Sequence, residues 1–476
     1  MAEYDLVVKN GTVATAADTF RADIAIRDGR IAALLEDVPA SAAETVLDAT
    51  GKLVLPGGIE GHCHIGEPAF GGAELADDFE SASIAAACGG TTTIIPFAGQ
   101  QEGKTLREAV DWCHDRARGK SVLDYGFHLM IADPTPQVLG QELPALIEDG
   151  YTSFKVFMTY EGMKLEDLQI LDVLDTARRH GGFVMVHCEN DHCITWLAER
   201  LERAGDTSPA RFGIAHGEVA EREATHRAIS LSEVAEAPVF IVHVSSHQAM
   251  DQIAWARSRG LPIYGETCPQ YLFLSSEDFA RPGWEGAKYI CSPPPRDPGN
   301  ADHLWRGIQN GVFQMVSSDH CAYRMEGPGG RKESAGELHF HKVSPGLPGI
   351  ENRMPLLFSE GVMKGRIDLQ TFVAMTATNA AKLYGLHPRK GTIAVGSDAD
   401  LVLWDPERVV TLEHAMLHDR CDYTPYEGRT FTGWPVTTLS RGEILWHEGE
   451  VRAKPGRGRF LPRGISSAVR QTAAAA

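Results

Sequence analysis

The middle of the chain alternates short apolar runs with longer amphipathic segments. The apolar runs are rich in Val, Ile, Phe, Leu or Thr, as strands are, and they include 53–59, 152–154, 183–186, 239–242 and 314–318. Helical patterns such as 164–180 and 248–260 separate them. Near-continuous apolar strands that alternate with helices favour a parallel sheet buried on both faces. We therefore predict an α/β fold with a (β/α)8 TIM barrel.

The two ends of the chain have a different pattern. Residues 4–9 and 24–31 alternate apolar and polar side chains around turn signals, as hairpins do, and residues from about 389 resume this style. We predict a flanking β-sandwich built from both ends, with segments 1–54 and 389–452 on either side of a barrel at 55–388. Residues 453–476 are rich in Gly, Arg and Ala, which predicts an extended tail.

A residue with metal-ligating chemistry stands at or just after the end of each apolar run. These residues are His62, His64, Lys155, His187, His243 and Asp319. In a (β/α)8 barrel, side chains at the carboxyl ends of the strands converge on one mouth. Two histidines separated by one residue also point to the same side of a strand and can chelate one ion. Each residue alone has an ordinary structural interpretation, but the set indicates a two-metal hydrolase.

Lys155 is unusual in this set because a lysine is not an ordinary metal ligand. Its apolar neighbours Phe154, Val156 and Phe157 would desolvate the ammonium group and lower its pKa. A neutral lysine amine can take up CO2 and become a carbamate, whose two oxygens can bridge two divalent ions. The structural alternative is a lysine whose ammonium group reaches from the strand end to water.

These residues lie in segments that resemble the cyclic amidohydrolases, and most of all their dihydropyrimidinase and hydantoinase branch. The resemblance extends along nearly the whole chain. The matching segments are 56–64, 76–81, 89–95, 155–160, 317–320 and 396–401.

The resemblance implies two divalent metal ions, with zinc expected and manganese as the alternative, since nitrogen and oxygen ligands suit either. The implied ligands are His62, His64 and Asp319 for one ion, His187 and His243 for the other, and Lys155, as N6-carboxylysine, for both. The resemblance also implies that Tyr160 hydrogen-bonds the substrate carbonyl and that Ser292 contacts the ring amide through its backbone.

The expected chemistry is hydrolysis of a cyclic amide or imide. Two cations that share a water lower its pKa and give a bridging hydroxide near neutrality. Tyr160 can stabilise the developing oxyanion, and Asp319 can transfer a proton to the leaving ring nitrogen. The substrate would be a dihydropyrimidine or a 5-substituted hydantoin, and the product an N-carbamoyl amino acid.

Departures from related families bear on the substrate. Dihydroorotases carry an arginine that clamps the substrate carboxylate at the position of Gly66, so a carboxylated ring is disfavoured. Allantoinases lack the ending of the 158–160 segment, and an allantoinase or another cyclic amidase stays as the alternative. Glu67 stands where hydantoinases have an apolar residue, and Pro348 lies near the position of a substrate-contacting asparagine in many relatives.

Two other classes of protein share parts of this pattern. Some members of the superfamily are non-catalytic oligomeric scaffolds, but their ligand positions are substituted, whereas all six match here. A mononuclear amidohydrolase such as a deaminase would not need Lys155. An apolar wall formed by Phe70, Phe157 and the loop around Met163 would favour 5-aryl or 5-alkyl hydantoins.

Composition excludes several partners for this chain of 476 residues. Its net charge of −19 argues against nucleic acid. No apolar run approaches the roughly 20 residues of a membrane span. Nine cysteines without a CxxC pair support neither a disulfide framework nor a zinc ribbon, and the acidic start shows no signal pattern, so we expect a cytoplasmic protein. The resemblance also implies a homo-oligomer, either a tetramer or a dimer.

Overall fold

The computed structural model describes residues 2–69 and 71–475. Its first strands are β1 (Tyr4–Lys9), β2 (Thr12–Ala14), β3 (Thr19–Arg21), β4 (Asp23–Arg27), β5 (Arg30–Leu35), β6 (Ala43–Asp48) and β7 (Leu53–Pro56). Four of them form a sheet in the order β5-β4-β1-β6, in which β1 is antiparallel to β4 and parallel to β6.

A parallel sheet forms the centre of the molecule. Its strands are β8 (Gly58–Cys63), β9 (Thr91–Gly99), β10 (Asp124–Tyr125), β11 (His128–Met130), β12 (Ser153–Phe157), β13 (Phe183–His187), β14 (Val239–Ile241), β15 (Ile263–Thr267) and β16 (Met315–Val316). The short strands β10 and β11 pair with successive parts of β9. Cys63 at the end of β8 pairs in parallel with His320 beyond β16, so the two edges of the sheet meet. The predicted TIM barrel is confirmed.

Helices follow the barrel strands and cover the sheet. They are α1 (Phe79–Cys88), α2 (Leu106–Ala117), α3 (Leu143–Glu148), α4 (Asp167–His180), α5 (Asp191–Arg203), α6 (Ala210–Ala215), α7 (Glu218–Ala235), α8 (His247–Ser258), α9 (Pro269–Phe273), α10 (Trp284–Ala287), α11 (Asn300–Gln309), α12 (Arg331–Ala335), α13 (Arg353–Leu357), α14 (Leu369–Val373), α15 (Asn379–Leu383) and α16 (Ser467–Ala475). Short 3-10 segments lie at Ala40–Ala42, Ser276–Ala280 and His414–Met416, and π-helical segments at Val138–Glu142, Phe358–Met363 and Ala374–Thr378.

Helix α4 illustrates how the sequence specifies these elements. Its buried residues Ile170, Val173, Leu174 and Ala177 recur at the spacing of one helical face, which packs onto the barrel. The helix ends at Gly181, whose φ of 86° is a left-handed conformation that glycine adopts without a steric penalty. The apolar spacing and the glycine together set the face and the end of this helix.

The C-terminal strands complete a second sheet beside the barrel. They are β17 (Leu401–Thr411), β18 (Thr430–Ser440), β19 (Glu443–His447) and β20 (Glu450–Val451). The sheet order is β20-β19-β18-β17-β7-β2-β3, so strands from both ends of the chain share one sheet. Apolar side chains of this sheet and of the four-stranded sheet, such as Val8, Ile24, Val54 and Leu403, form one core. The predicted flanking β-sandwich is confirmed, and the domain borders drawn from the sequence stay predictions.

The predicted tail has a defined path along the barrel. Phe460 pairs with Tyr125 of β10, and the guanidinium group of the buried Arg463 donates hydrogen bonds to Ser153 Oγ, at 2.7 Å, and to the carbonyl of Phe127. The segment then enters α16, so it is extended only in its first part. Within the described residues no helix has both the length and the apolar character needed to cross a bilayer.

A buried lysine joins the barrel to the sandwich. Lys390 Nζ lies 2.8 Å from Asp124 of β10, 2.7 Å from Asp400 and 3.1 Å from Asp398, and its side chain is 1% exposed. The three carboxylates offset the cost of burying the ammonium group and raise the pKa of Lys390, although burial acts to lower it.

We expect Lys390→Met to lower the free energy of unfolding by about 3–5 kcal/mol, because it leaves buried carboxylates without their cation. Chemical denaturation monitored by circular dichroism measures the change. Lys364→Met is the matched control: its pair with Glu360 has a lysine side chain 59% exposed, and its loss should cost no more than about 1 kcal/mol. Equal losses in the two variants would contradict a role of this cluster in joining the domains.

Candidate active site

The predicted site residues surround one cavity at the carboxyl ends of the barrel strands. The cavity has a volume of about 350 Å³. Its walls include His64, Lys155, Tyr160, His187, His243, Ser292 and Asp319. His62 is fully buried beside this wall, with its ring centroid 5.7 Å from that of His64. The structure thus brings together residues in or just after β8, β12, β13, β14 and β16, and Ser292 from the connection between β15 and β16.

Three of these side chains form a compact cluster. Asp319 Oδ1 lies 3.2 Å from His62 Nε2 and 3.5 Å from His64 Nε2. The ligand atoms of the three residues all lie within 4.8 Å of one another, so they could hold a metal ion. Lys155 Nζ lies 3.5 Å from His62 Nε2, at the edge of the same cluster.

His187 and His243 form a second group beside it. Their ring centroids are 4.5 Å apart, and the ring of His243 is 5.2 Å from that of His62. His243 Nδ1 is buried and has no hydrogen-bond partner among the described residues. An imidazole nitrogen in this position is costly to bury unless it binds something. The unpartnered nitrogen and the His and Asp donors therefore fit divalent metal ions.

Carboxylates outside the predicted set hold the histidine rings. Glu266 Oε1 lies 2.5 Å from His62 Nδ1, Glu67 Oε1 lies 2.9 Å from His64 Nδ1, and Glu189 Oε2 lies 2.8 Å from His187 Nε2. A carboxylate bonded to one ring nitrogen fixes the proton there and leaves the lone pair of the other nitrogen for a ligand. In His62 and His64 the nitrogen left over is Nε2, which faces Asp319.

Sequence reasoning missed Glu189 and Glu266, although each carried a signal. Glu189 follows His187 by two residues, and Glu266 lies in the last part of β15, a strand with no predicted metal ligand. The unexplained Glu67 is accounted for by its contact with His64. At the loop that contains Pro348, the cavity wall is formed by Pro345 and Gly346.

Burial favours the neutral form of both Lys155 and Tyr160, so it shifts their pKa values in opposite directions. It lowers the pKa of Lys155 to about 8, which makes a neutral amine accessible. It also raises the pKa of Tyr160 well above its ordinary value, with the Glu189 carboxylate adding to the effect. The phenol therefore stays protonated and can donate a hydrogen bond. Asp319 differs: burial acts to raise its pKa, but His62 and His64 outweigh burial and lower it.

Backbone geometry directs some of these side chains into the cavity. Tyr160, His243 and Asp319 have φ values of 76°, 37° and 48°, in the left-handed region that residues with a Cβ rarely adopt. Each such conformation costs about 1–3 kcal/mol and persists only where the surroundings enforce it. Their coincidence at one cavity indicates that the fold is strained at the site.

The remaining walls provide a polar side and an apolar side. Ser292 Oγ donates a 2.6 Å hydrogen bond to Glu189, which also lies 2.9 Å from His216 Nδ1. The apolar side includes Leu75, Met130, Phe157, Met163 and Tyr323. Phe157 and Met163 thus lie where an apolar wall was predicted, whereas Phe70 is outside the described residues.

Comparisons with known proteins agree with this geometry. The model of the amidohydrolase family matches residues 53–445. The chain is 46% identical to a D-hydantoinase of Geobacillus stearothermophilus, over 96% of each chain, and 43% identical to one of Ralstonia pickettii, over 96% of this chain and 99% of that one. The crystal structure of a dihydropyrimidinase from Brevibacillus agri NCHU1002 superposes with a TM-score of 0.94 at 43% identity, over 97% of this chain and 99% of that one.

The fold, the cavity and these similarities define a hydrolase of the (β/α)8 barrel class that acts on cyclic amides. The chain belongs to the amidohydrolase family, in its hydantoinase and dihydropyrimidinase branch. The resemblance identified from the sequence is therefore confirmed. Divalent metal ions are general in the family, and the cluster of His62, His64 and Asp319 is a possible site for one.

We expect Glu67→Gln to weaken metal binding about 10- to 100-fold, because the carboxylate that orients His64 is lost. Isothermal titration calorimetry, with zinc added to the metal-free protein, measures the affinity. Glu102→Gln is the matched control, since Glu102 lines the same cavity but is exposed to solvent. Unchanged affinity in the Glu67 variant would show that His64 does not depend on this carboxylate.

Proposed function

We propose that this protein hydrolyses the ring amide of a 5-substituted hydantoin or a dihydropyrimidine and releases an N-carbamoyl amino acid. The observation that carries the proposal is the convergence of three histidines, Lys155, Asp319 and Tyr160 on one cavity, with His62 buried beside it. Proteins named D-hydantoinase and dihydropyrimidinase, which are at least 43% identical over nearly the whole chain, support this substrate class.

The proposed site holds two divalent metal ions, zinc by preference and manganese as the alternative. Its ligands would be His62, His64 and Asp319 for one ion, His187 and His243 for the other, and Lys155, carboxylated by CO2, for both. Such ions would lower the pKa of a shared water and polarise the scissile carbonyl. The low pKa of Lys155 supports carbamate formation, because only the neutral amine reacts with CO2.

The chain's own residues then complete the reaction. Asp319, whose pKa is held below its ordinary value, is ionised at neutral pH and can accept the proton of the attacking water. It would return that proton to the ring nitrogen as the amide bond breaks. Tyr160 stays protonated and can donate to the oxyanion that forms from the carbonyl oxygen. Ser292, on the same wall, would hold the ring amide through its backbone.

The side chains that line the cavity favour a substrate ring with a neutral, apolar substituent. Met130, Phe157 and Met163 offer apolar surface beside Tyr160. Among the described wall residues Lys155 is the only lysine or arginine, so a substrate carboxylate would meet no arginine clamp there. This charge pattern disfavours dihydroorotate. Allantoin, a neutral hydantoin derivative, remains the alternative substrate.

We propose in addition that the protein forms a homo-oligomer. Large apolar side chains are exposed on the outer helices of the barrel, and they include Leu168 of α4, Trp196 of α5, Val234 of α7 and Trp255 of α8. Burial of these side chains between subunits would remove apolar surface from water and so favour association. A reducing, cytoplasmic location is consistent with the nine cysteines, all of which are free thiols.

The zinc-loaded protein is expected to open the rings of 5-phenylhydantoin and dihydrouracil, and to do so faster than those of allantoin and dihydroorotate. Loss of ring absorbance and detection of the N-carbamoyl product measure the four rates side by side. A faster rate for the phenyl compound would fit the apolar wall. No turnover of either preferred substrate by protein with two bound metals would refute the proposed substrate class.

Tyr160→Phe should lower kcat on the preferred substrate about 100-fold or more, as expected for the loss of one oxyanion donor. Metal content should stay at the wild-type value, because the phenol is not a proposed ligand. Steady-state kinetics and elemental analysis measure the two quantities. Phe157→Leu, which changes the neighbouring wall without removing a donor, serves as the control. A wild-type kcat would remove Tyr160 from the mechanism.

A further inference from the structure

A second set of metal-ligand side chains lies outside the cavity. Cys88 is the last residue of α1, Glu351 lies just before α13, and His418 lies in the connection between β17 and β18. Their ligand atoms all lie within 4.8 Å of one another. Cys88 and Glu351 are buried, whereas the side chain of His418 is 27% exposed. The protein therefore encloses the side of the cluster formed by Cys88 and Glu351, and His418 lies at the side that faces solvent.

This cluster lies near the opposite end of the barrel from the proposed active site. The carbonyl of Gly90, two residues after Cys88, accepts a 2.9 Å hydrogen bond from Gly58 N, at the start of β8. The proposed ligand His62 lies in the last part of the same strand. The two clusters are therefore separated by most of the length of β8.

Tertiary contacts hold the three segments together. A Cβ on Gly89 would lie 2.2 Å from the carbonyl oxygen of Glu351, so the close approach of α1 to this loop requires a glycine. Glu351 accepts a 2.8 Å hydrogen bond from the backbone of His418, and its other oxygen lies 2.9 Å from His418 Nδ1. Trp446 packs edge-on against the imidazole, with the ring centroids 5.1 Å apart. These contacts of the fold therefore hold the three side chains of the cluster close together.

The charges of the ligand set match a divalent cation. With an ion bound, a Cys88 thiolate and the Glu351 carboxylate would together balance its two positive charges, so the occupied site would be neutral.

We propose that Cys88, Glu351 and His418 form a structural site for a divalent transition metal, with zinc as its natural ion. Sulfur, nitrogen and oxygen ligands are the set that zinc accepts, and the open side of His418 leaves room for water as a further ligand. On binding, the thiol releases its proton to solvent as the metal–sulfur bond forms. The ion would join α1 of the barrel to the β17–β18 connection of the sandwich.

Cobalt(II) is the probe, because a thiolate ligand gives cobalt an intense near-ultraviolet charge-transfer band that nitrogen and oxygen ligands do not give. The proposed catalytic site has no cysteine ligand, so the band reports on Cys88 even when that site is also filled. We expect the metal-stripped full-length protein to develop the band on titration. Cys88→Ser should abolish the band and bind one metal ion per subunit fewer than the wild type.

His418→Gln provides an independent test if Cys88→Ser does not fold, and it should weaken or abolish the same band. Cys113→Ser is the matched control, because Cys113 is a buried helical cysteine outside the cluster and its loss should leave the band intact. Absence of the band in the cobalt-saturated wild type, or its persistence in folded Cys88→Ser, would overturn the proposal. Both outcomes are independent of whether hydantoins are the substrates.

Discussion

The carboxylate of Glu60 closes the barrel, and the site depends on this closure. Glu60 accepts hydrogen bonds from the backbone of His62 at 3.0 Å and from the backbone of Ser318 at 3.1 Å, and it lies 3.1 Å from Arg353 Nε. It therefore ties the first barrel strand to the segment after the last one. Since His62 and Asp319 lie within two residues of these bonds, the same carboxylate helps to hold the two proposed ligands near each other.

Burial is the second physical constraint that shapes the site. One cause, the removal of water, favours the neutral form of both Lys155 and Tyr160. For the lysine the neutral form is a nucleophilic amine, and for the tyrosine it is a hydrogen-bond donor. Burial also lowers the pKa of His62 and of His187. For His64, burial acts to lower the pKa, but the carboxylates of Glu67 and Asp319 outweigh burial and raise it. The fold thus uses desolvation for some groups and charge pairing for others.

The sequence was sufficient to predict the barrel and the residues at its mouth, because parallel strands end at one edge and chemistry-bearing residues there must converge. The supporting carboxylates were harder to find. Glu266 lies 204 positions from His62 along the chain, and no local pattern links the two. The ordered path of the tail was missed for a similar reason: a segment rich in Gly, Arg and Ala gives no periodic signal, and its order depends on long-range bonds such as those of Arg463. Secondary-structure propensity depends on residues that are close in sequence. The supporting carboxylates and the path of the tail depend instead on contacts between residues that are far apart in sequence.

The pairing of β7 with β17 has a consequence for synthesis on the ribosome. Leu53–Pro56 forms its antiparallel ladder with a strand that begins only at Leu401, so the edge of β7 emerges long before its partner. The barrel lies between the two in the chain and has time to fold first. The sandwich is then the last part to close, and for most of its translation a nascent chain carries an apolar strand, β7, that has β2 on one edge and no partner on the other. Premature termination would therefore yield an aggregation-prone fragment in place of a smaller working enzyme.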